Sequence, residues 1–267
     1  MSILAAFLWT FAATVALVAG LELTGSVRLG AGSQPMAVAA WEALVYVAMA
    51  AGVLRVHAPG NRPSKALGLD RIDLYLVLLA SLIGGAAQLP VETLRRAAQA
   101  LAPVPPELQA ARAALLAHPT RVDAIVVLIS LAVVAPLAEE VFFRGALHGQ
   151  LRRLQGPVAC GAIVALCFVI GHPETYSWLP LALVASVLSL VRERTHSLWP
   201  GFALHASFNA VTVVTGMTTA ASMQAGFPFS WPVLWAGWPV TAGLCYMLHR
   251  VASSRGVQAE PWSEDVR

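Results

Sequence analysis

The chain has 267 residues, of which 58% are hydrophobic and only 12% charged, with a formal net charge of +3. Soluble domains carry about 25% charged residues, so a mean hydropathy of +0.69 excludes an ordinary soluble enzyme or a disordered chain. The small positive balance then reports orientation in a membrane rather than nucleic-acid binding, and lipid is the first expected partner.

Runs of roughly 20 apolar residues, the length of a membrane-crossing helix, recur at 3–24, 36–57, 72–90, 122–146, 157–172, 176–191, 198–216 and 229–249. They predict an all-α polytopic membrane bundle of about eight transmembrane helices, forming one structural domain. The first run lacks a basic leader and is too long for a signal-peptide core, so it reads as an anchor. The loop 58–71, APGNRPSKALGLDR, is polar, basic and punctuated by Pro and Gly. Segment 91–121 differs, because VETLRRAAQALA and PELQAARAALLAH read as two short amphipathic helices broken by PVPP. Such helices lie in the membrane interface, as a spacer or as a rim that guides substrate. The fifth and sixth runs are short, with Pro173 between them. The polar tail 253–267 is expected to be disordered.

Arg55, Arg62, Lys65, Arg71, Arg144, Arg152, Arg153, Arg192, Arg194, Arg250, Arg255 and Arg267 follow even-numbered spans, against Arg28, Arg95, Arg96, Arg112 and Arg121 elsewhere. By the positive-inside rule both termini are cytoplasmic. Cys160, Cys167 and Cys245 lie inside apolar runs without metal-type spacing, so packing is their expected role.

A charged group in hydrocarbon costs about 2.5 kcal/mol or more, and three polar clusters stand out against that cost. In PLAEEVFFRGALHG, Glu140 and Arg144 are four apart and share a helix face, while Glu139 points about 100° away and has no partner on its own helix. An unpaired carboxylate in an apolar setting suits general-base work; the alternative is a charge cluster at the membrane boundary. In FVIGHPE, Phe168 and His172 are four apart, and His172 is either functional or a satisfied residue at a span end. In LWPGFALHASFNAV, His205 and Asn209 share one face about 9 Å and more beyond Trp199, where a bundle satisfies polar groups inward. One base, two imidazoles and an amide are enough to activate water and stabilise an oxyanion, hence peptide hydrolysis. By simple counting His172 lies deeper than Glu139, so convergence requires the fourth span to run past Arg144 or the fifth to break near Gly171.

Glu139-Glu140-x-x-x-Arg144, Phe168-x-x-x-His172 and His205-x-x-x-Asn209 resemble the three ordered motifs of the CPBP family. These are the CAAX proteases and bacteriocin-processing enzymes, also called Abi, relatives of the type II CAAX prenyl endopeptidase. The resemblance covers roughly 122–216, with VRERTHSLWPGFALHASFNAV similar to the approach to the third motif. It implies an intramembrane endopeptidase core at 122–216, preceded by membrane spans and the interfacial segment in 1–121 and followed by a last span and tail in 217–267. Carried over by position, Glu139 would activate water with help from His172. His205 and Asn209 would stabilise the oxyanion, Glu140 and Arg144 would brace the site, and Phe168 would pack beside it. The family is described both as metal-dependent and as metal-free, so the cofactor is none or one divalent metal such as zinc, for which Glu139, His172 and His205 are the possible ligands.

The resemblance implies a protein or peptide substrate, lipidated or carrying a C-terminal sorting tail, and residence in a bacterial inner membrane. Two rivals remain: a non-catalytic scaffold or immunity protein of the same fold, and a proton-coupled transporter. The transporter predicts inverted repeats and broken helices in both halves, whereas the motifs crowd the second half.

Overall fold

The computed structural model describes residues 1–23, 35–116, 120–172, 174–221 and 229–255. It is 86% helical, with no strand among the described residues, and forms an all-α polytopic bundle. The helices are α1 (Ile3–Leu23), α2 (Pro35–His57), α3 (Pro63–Leu67), α4 (Leu74–Leu101) and α5 (Pro106–Leu115). They continue with α6 (Arg121–Leu151), α7 (Pro157–Ile170), α8 (Trp178–Thr195), α9 (Leu198–Ala221) and α10 (Trp231–Ser254). Five of them, α1, α2, α4, α6 and α8 with its leading turn, are long and apolar enough to cross a membrane, and α7 is a shorter apolar helix. The expected count of eight spans is not confirmed by that measure.

Local chemistry sets the helix starts. Asp73 caps α4 by accepting from Tyr75 N at 3.0 Å and Leu76 N at 3.2 Å. Thr120 and Asp123 close a reciprocal capping box at the start of α6. Pro157 opens α7 in the first turn, where a missing N–H costs nothing.

The structure corrects the boundary expected at residue 90. Helix α4 runs through Pro90 to Leu101, so VETLRRAAQALA is the amphipathic continuation of the third span rather than a separate helix. Pro90 is buried against α10, where a Cβ on Gly237 would lie 3.1 Å from the proline ring, and packing by neighbouring helices lets a membrane helix tolerate proline. Past it, the buried Glu92 takes hydrogen bonds from Arg95 at 2.6 Å and Arg96 at 2.7 Å, one turn on. PELQAARAAL forms α5 as expected. Of the tail, residues 256–267 lie outside the described residues.

Helix α4 is the central post, packed along α9 and α10, while α6 is held between α2 and α9. Between helices in lipid, close packing and hydrogen bonds carry the association, because tails are as apolar as the side chains. Tyr46 of α2 stacks on Phe142 at 5.4 Å and meets Phe143 at 5.5 Å, and Phe143 meets Phe168 of α7 at 5.0 Å. This buried aromatic cluster ties three helices together beneath the polar site. Cys160 and Cys167 are buried in the same core as free thiols.

Candidate active site

Helix α6 departs from α-geometry twice, with π-helical turns at Ser130–Val134 and Val141–Leu147 on either side of Glu139 and Glu140. Insertions of this kind concentrate at functional sites. In the first π turn Ala135 N bonds Ser130 O, five residues back. The next amide in that register would serve Leu131 O, but it belongs to Pro136 and does not exist. Asn209 of α9 fills the gap, donating from Nδ2 to Leu131 O at 2.9 Å. The proline and the π turn thus explain why an amide side chain is required one turn beyond His205.

The two carboxylates separate as the spacing predicts. Glu140 is fully buried and 3.1 Å from Arg144, itself fully buried. Its Oε1 also accepts from His205 Nδ1 at 3.1 Å. Arg144 donates to Ala185 O at 3.3 Å and lies 4.3 Å over the Phe168 ring. Gly201 lets α9 come this close, since a Cβ there would sit 3.0 Å from Glu140 Oε2.

Glu139, 5% exposed, faces the other way, and its Oε2 has no hydrogen-bond partner in the protein. His205 Nε2 is 3.7 Å from that oxygen, and His172 Nε2 is 4.0 Å from Oε1. Both imidazoles are anchored through Nδ1, His205 on Glu140 and His172 on Phe168 O at 2.7 Å. Since a carbonyl only accepts, His172 carries its proton on Nδ1. Both rings therefore aim Nε2 at one carboxylate. The convergence that counting left open is achieved by α6 running on to Leu151 and by α7 stopping at Ile170, with Gly171 turning the chain. Phe168 packs beside the site, 4.6 Å from the His172 ring and 5.8 Å from His205.

One residue is absent from the sequence reading. Glu42 of α2 hydrogen-bonds to the Glu139 side chain and lies in the fields of His172 and His205. It sits one turn before Tyr46, so the aromatic cluster that fastens α2 to α6 also sets Glu42 over Glu139. The available signal was a lone carboxylate inside an apolar span, which is functional by default. Two carboxyl groups in a hydrogen bond hold a proton between them.

Among the described residues, no group of three or more His, Cys, Asp and Glu side chains is arranged to hold a metal ion. The donor set gathered here is carboxylates and imidazoles 3.7–4.0 Å apart, spaced for hydrogen bonding through water.

Fold and site define an integral membrane protein with a buried Glu/His cluster. Residues 121–211 match the family described as type II CAAX prenyl endopeptidase Rce1-like, consistent with the wider CPBP family. That family is a protease family, and the match supports a CAAX-type intramembrane protease in general. It spans all three motifs but not α2 and Glu42. No curated protein and no solved structure matches the chain.

Proposed function

We propose that the chain is an intramembrane endopeptidase that hydrolyses a peptide bond of a membrane-associated protein or peptide, with Glu139 as general base. The observation that carries this reading is the pair of Nε2 atoms, 3.7 and 4.0 Å from the Glu139 oxygens, on rings whose Nδ1 atoms are already engaged. One water about 2.8 Å from both a carboxylate oxygen and an imidazole nitrogen at these separations makes an angle of about 80–90° at its oxygen.

In the forward step that water gives a proton to Glu139, and its oxygen attacks the scissile carbonyl carbon. His172, neutral with its proton on Nδ1, orients the water by accepting at Nε2. The carbonyl electrons move to oxygen, where His205, as an imidazolium braced by Glu140, donates from Nε2. Asn209 spends one amide N–H on Leu131 O, and its second N–H is the remaining oxyanion donor. The tetrahedral species collapses as the C–N bond breaks, and the proton on Glu139 passes to the leaving amine. Arg144 pairs with Glu140, so that Glu139 is the carboxylate left for chemistry. Glu42 hydrogen-bonds to the Glu139 side chain and is a positioning residue.

Substrates with a lipidated C-terminal segment or a sorting tail fit a site sunk among helices, and the cytoplasmic side is the expected location of both termini. The test is Glu139→Gln, which keeps shape and removes the base. Membrane and secreted proteomes of cells carrying wild-type and variant protein are compared for C-terminal fragments. Loss of fragments by about 10²-fold or more supports the reading, and undiminished fragments with Glu139→Gln refute it.

A further inference from the structure

At the end of the bundle where α2, α6 and α8 all finish, a cavity of about 650 Å³ is lined by Arg62, Lys65, Arg71, Arg153 and Arg192, with Asp70 as its one acidic side chain. Small-ligand sites occupy about 300–1,000 Å³. Five formal positive charges against one negative leave the wall at +4. His196 also lines it but adds no charge, because burial, and then the neighbouring Arg192, push its imidazole down to about 4. Behind the floor, Glu140 and Glu193 also act on Arg192, but neither lines the cavity, and Glu193 is engaged by Arg152 at 3.0 Å and His148 at 3.2 Å.

The cavity grades from wet rim to dry floor. Arg62, Lys65 and Arg71 are exposed, Arg153 is half-buried, and Arg192 is 1% exposed. The floor is built around that last guanidinium. Its Nε donates to Arg144 O at 2.9 Å. On the other side it lies against Gly68, which has φ +75 and where a Cβ would fall 2.2 Å from Nη1. A side chain at 68 would be strained in backbone and would displace the arginine, so the loop is shaped to admit it. The loop is pinned in turn by Leu198 N on Gly68 O at 2.9 Å and Trp199 Nε1 on Leu69 O at 2.9 Å.

We propose that this cavity is a binding site for a phosphate ester, supplied either by a phospholipid headgroup or as a free phosphoester, with Arg192 at its floor and Arg62, Lys65, Arg71 and Arg153 around it. Several guanidinium forks converging on one volume match an acceptor with three oxygens better than a single carboxylate. The ends of membrane-spanning helices stand at headgroup level, where basic pockets between helices take anionic lipid. The cavity is not the catalytic cleft: Gly149 in its wall is ten residues, or about 15 Å, along α6 from Glu139, and the floor adjoins the Glu140–Arg144 brace through the Arg192 bond to Arg144 O. It does not depend on the protease reading.

The experiment uses the full chain in uncharged detergent. Native mass spectrometry counts bound phosphatidylglycerol, and inorganic phosphate is titrated as competitor and as sole ligand. Wild-type protein is expected to bind the lipid at least about tenfold more tightly than Arg62→Ala/Lys65→Ala/Arg153→Ala. Gly68→Ala should weaken binding while leaving the rim charges in place. Lipid binding displaced by millimolar phosphate identifies a headgroup site, and phosphate binding without lipid preference identifies a free phosphoester. Should the triple variant fail to fold, Arg62→Glu alone, at an exposed position, must still weaken binding. Equal binding by wild-type and rim variants, or no binding of either ligand, overturns the proposal.

Discussion

Replacing Arg144 by Met removes one charge of a pair that never meets solvent. Both side chains are 0% exposed and 3.1 Å apart. At an effective dielectric of 20 that separation corresponds to about 5 kcal/mol of Coulomb attraction. Deleting one partner of a buried pair costs about 3–5 kcal/mol, because the survivor is left as an uncompensated charge. Glu140 would keep only the contact from His205 Nδ1 at 3.1 Å. The loss should be largely reversed in Glu140→Gln/Arg144→Met, where neither charge remains and the buried volume is still filled. The assay is thermal unfolding in uncharged detergent, followed by the fluorescence of the eight tryptophans, across all four members of the double-mutant cycle. An Arg144→Met protein within about 0.5 kcal/mol of wild type, or strictly additive losses, would refute the account of Glu140 and Arg144 as a coupled buried pair. Cleavage should fall in both variants, since Arg144→Met removes the partner that fixes Glu140 and Glu140→Gln replaces the carboxylate that holds His205 Nδ1 by an amide.

Asn209→Ala should cost about 1–3 kcal/mol by orphaning Leu131 O, and adding Pro136→Ala, which restores an N–H, should recover part of it in the same unfolding assay. Glu42→Gln should lower kcat with little change in KM and alter the pH profile of cleavage, whereas a purely structural residue would leave that profile in place. Cleavage by purified protein should survive exhaustive chelation, and activity restored only by added zinc would redirect the mechanism. For Glu174, burial pushes the carboxyl up, but the Arg112 hydrogen bonds and charge outweigh it and hold it below the usual 4.5. A lowered folded value means that the contact stabilises above the unfolded value and is lost as pH falls through the folded one. Hydrogen exchange in α5, corrected for intrinsic rate, should therefore rise on acidification below about 4.5, and Arg112→Ala should abolish that dependence.

Much of the molecule was legible in one dimension. Apolar runs located the helices to within a few residues, because a helix in lipid must satisfy its own backbone over a membrane's thickness. Where the reading stopped short, the cause was contact with a neighbour. Pro90 looked like an end, yet α4 continues because α10 packs over it. The spacing of Glu140 and Arg144 foretold their pairing, since i and i+4 are neighbours on any helix. That His205 would also bind Glu140, while turning its other nitrogen to Glu139, depends on how α9 is rotated against α6.

Sequence by itself determined the class of molecule, the positions of its helices and the identity of the polar side chains, all of which follow from local periodicity and the cost of charge in hydrocarbon. Only tertiary structure decided that Glu42 meets Glu139 across 97 positions of chain, that Asn209 completes a π turn broken by Pro136, and that five cations from three segments enclose one cavity. Those pairings are set by helix rotation and close packing, which no short-range pattern encodes.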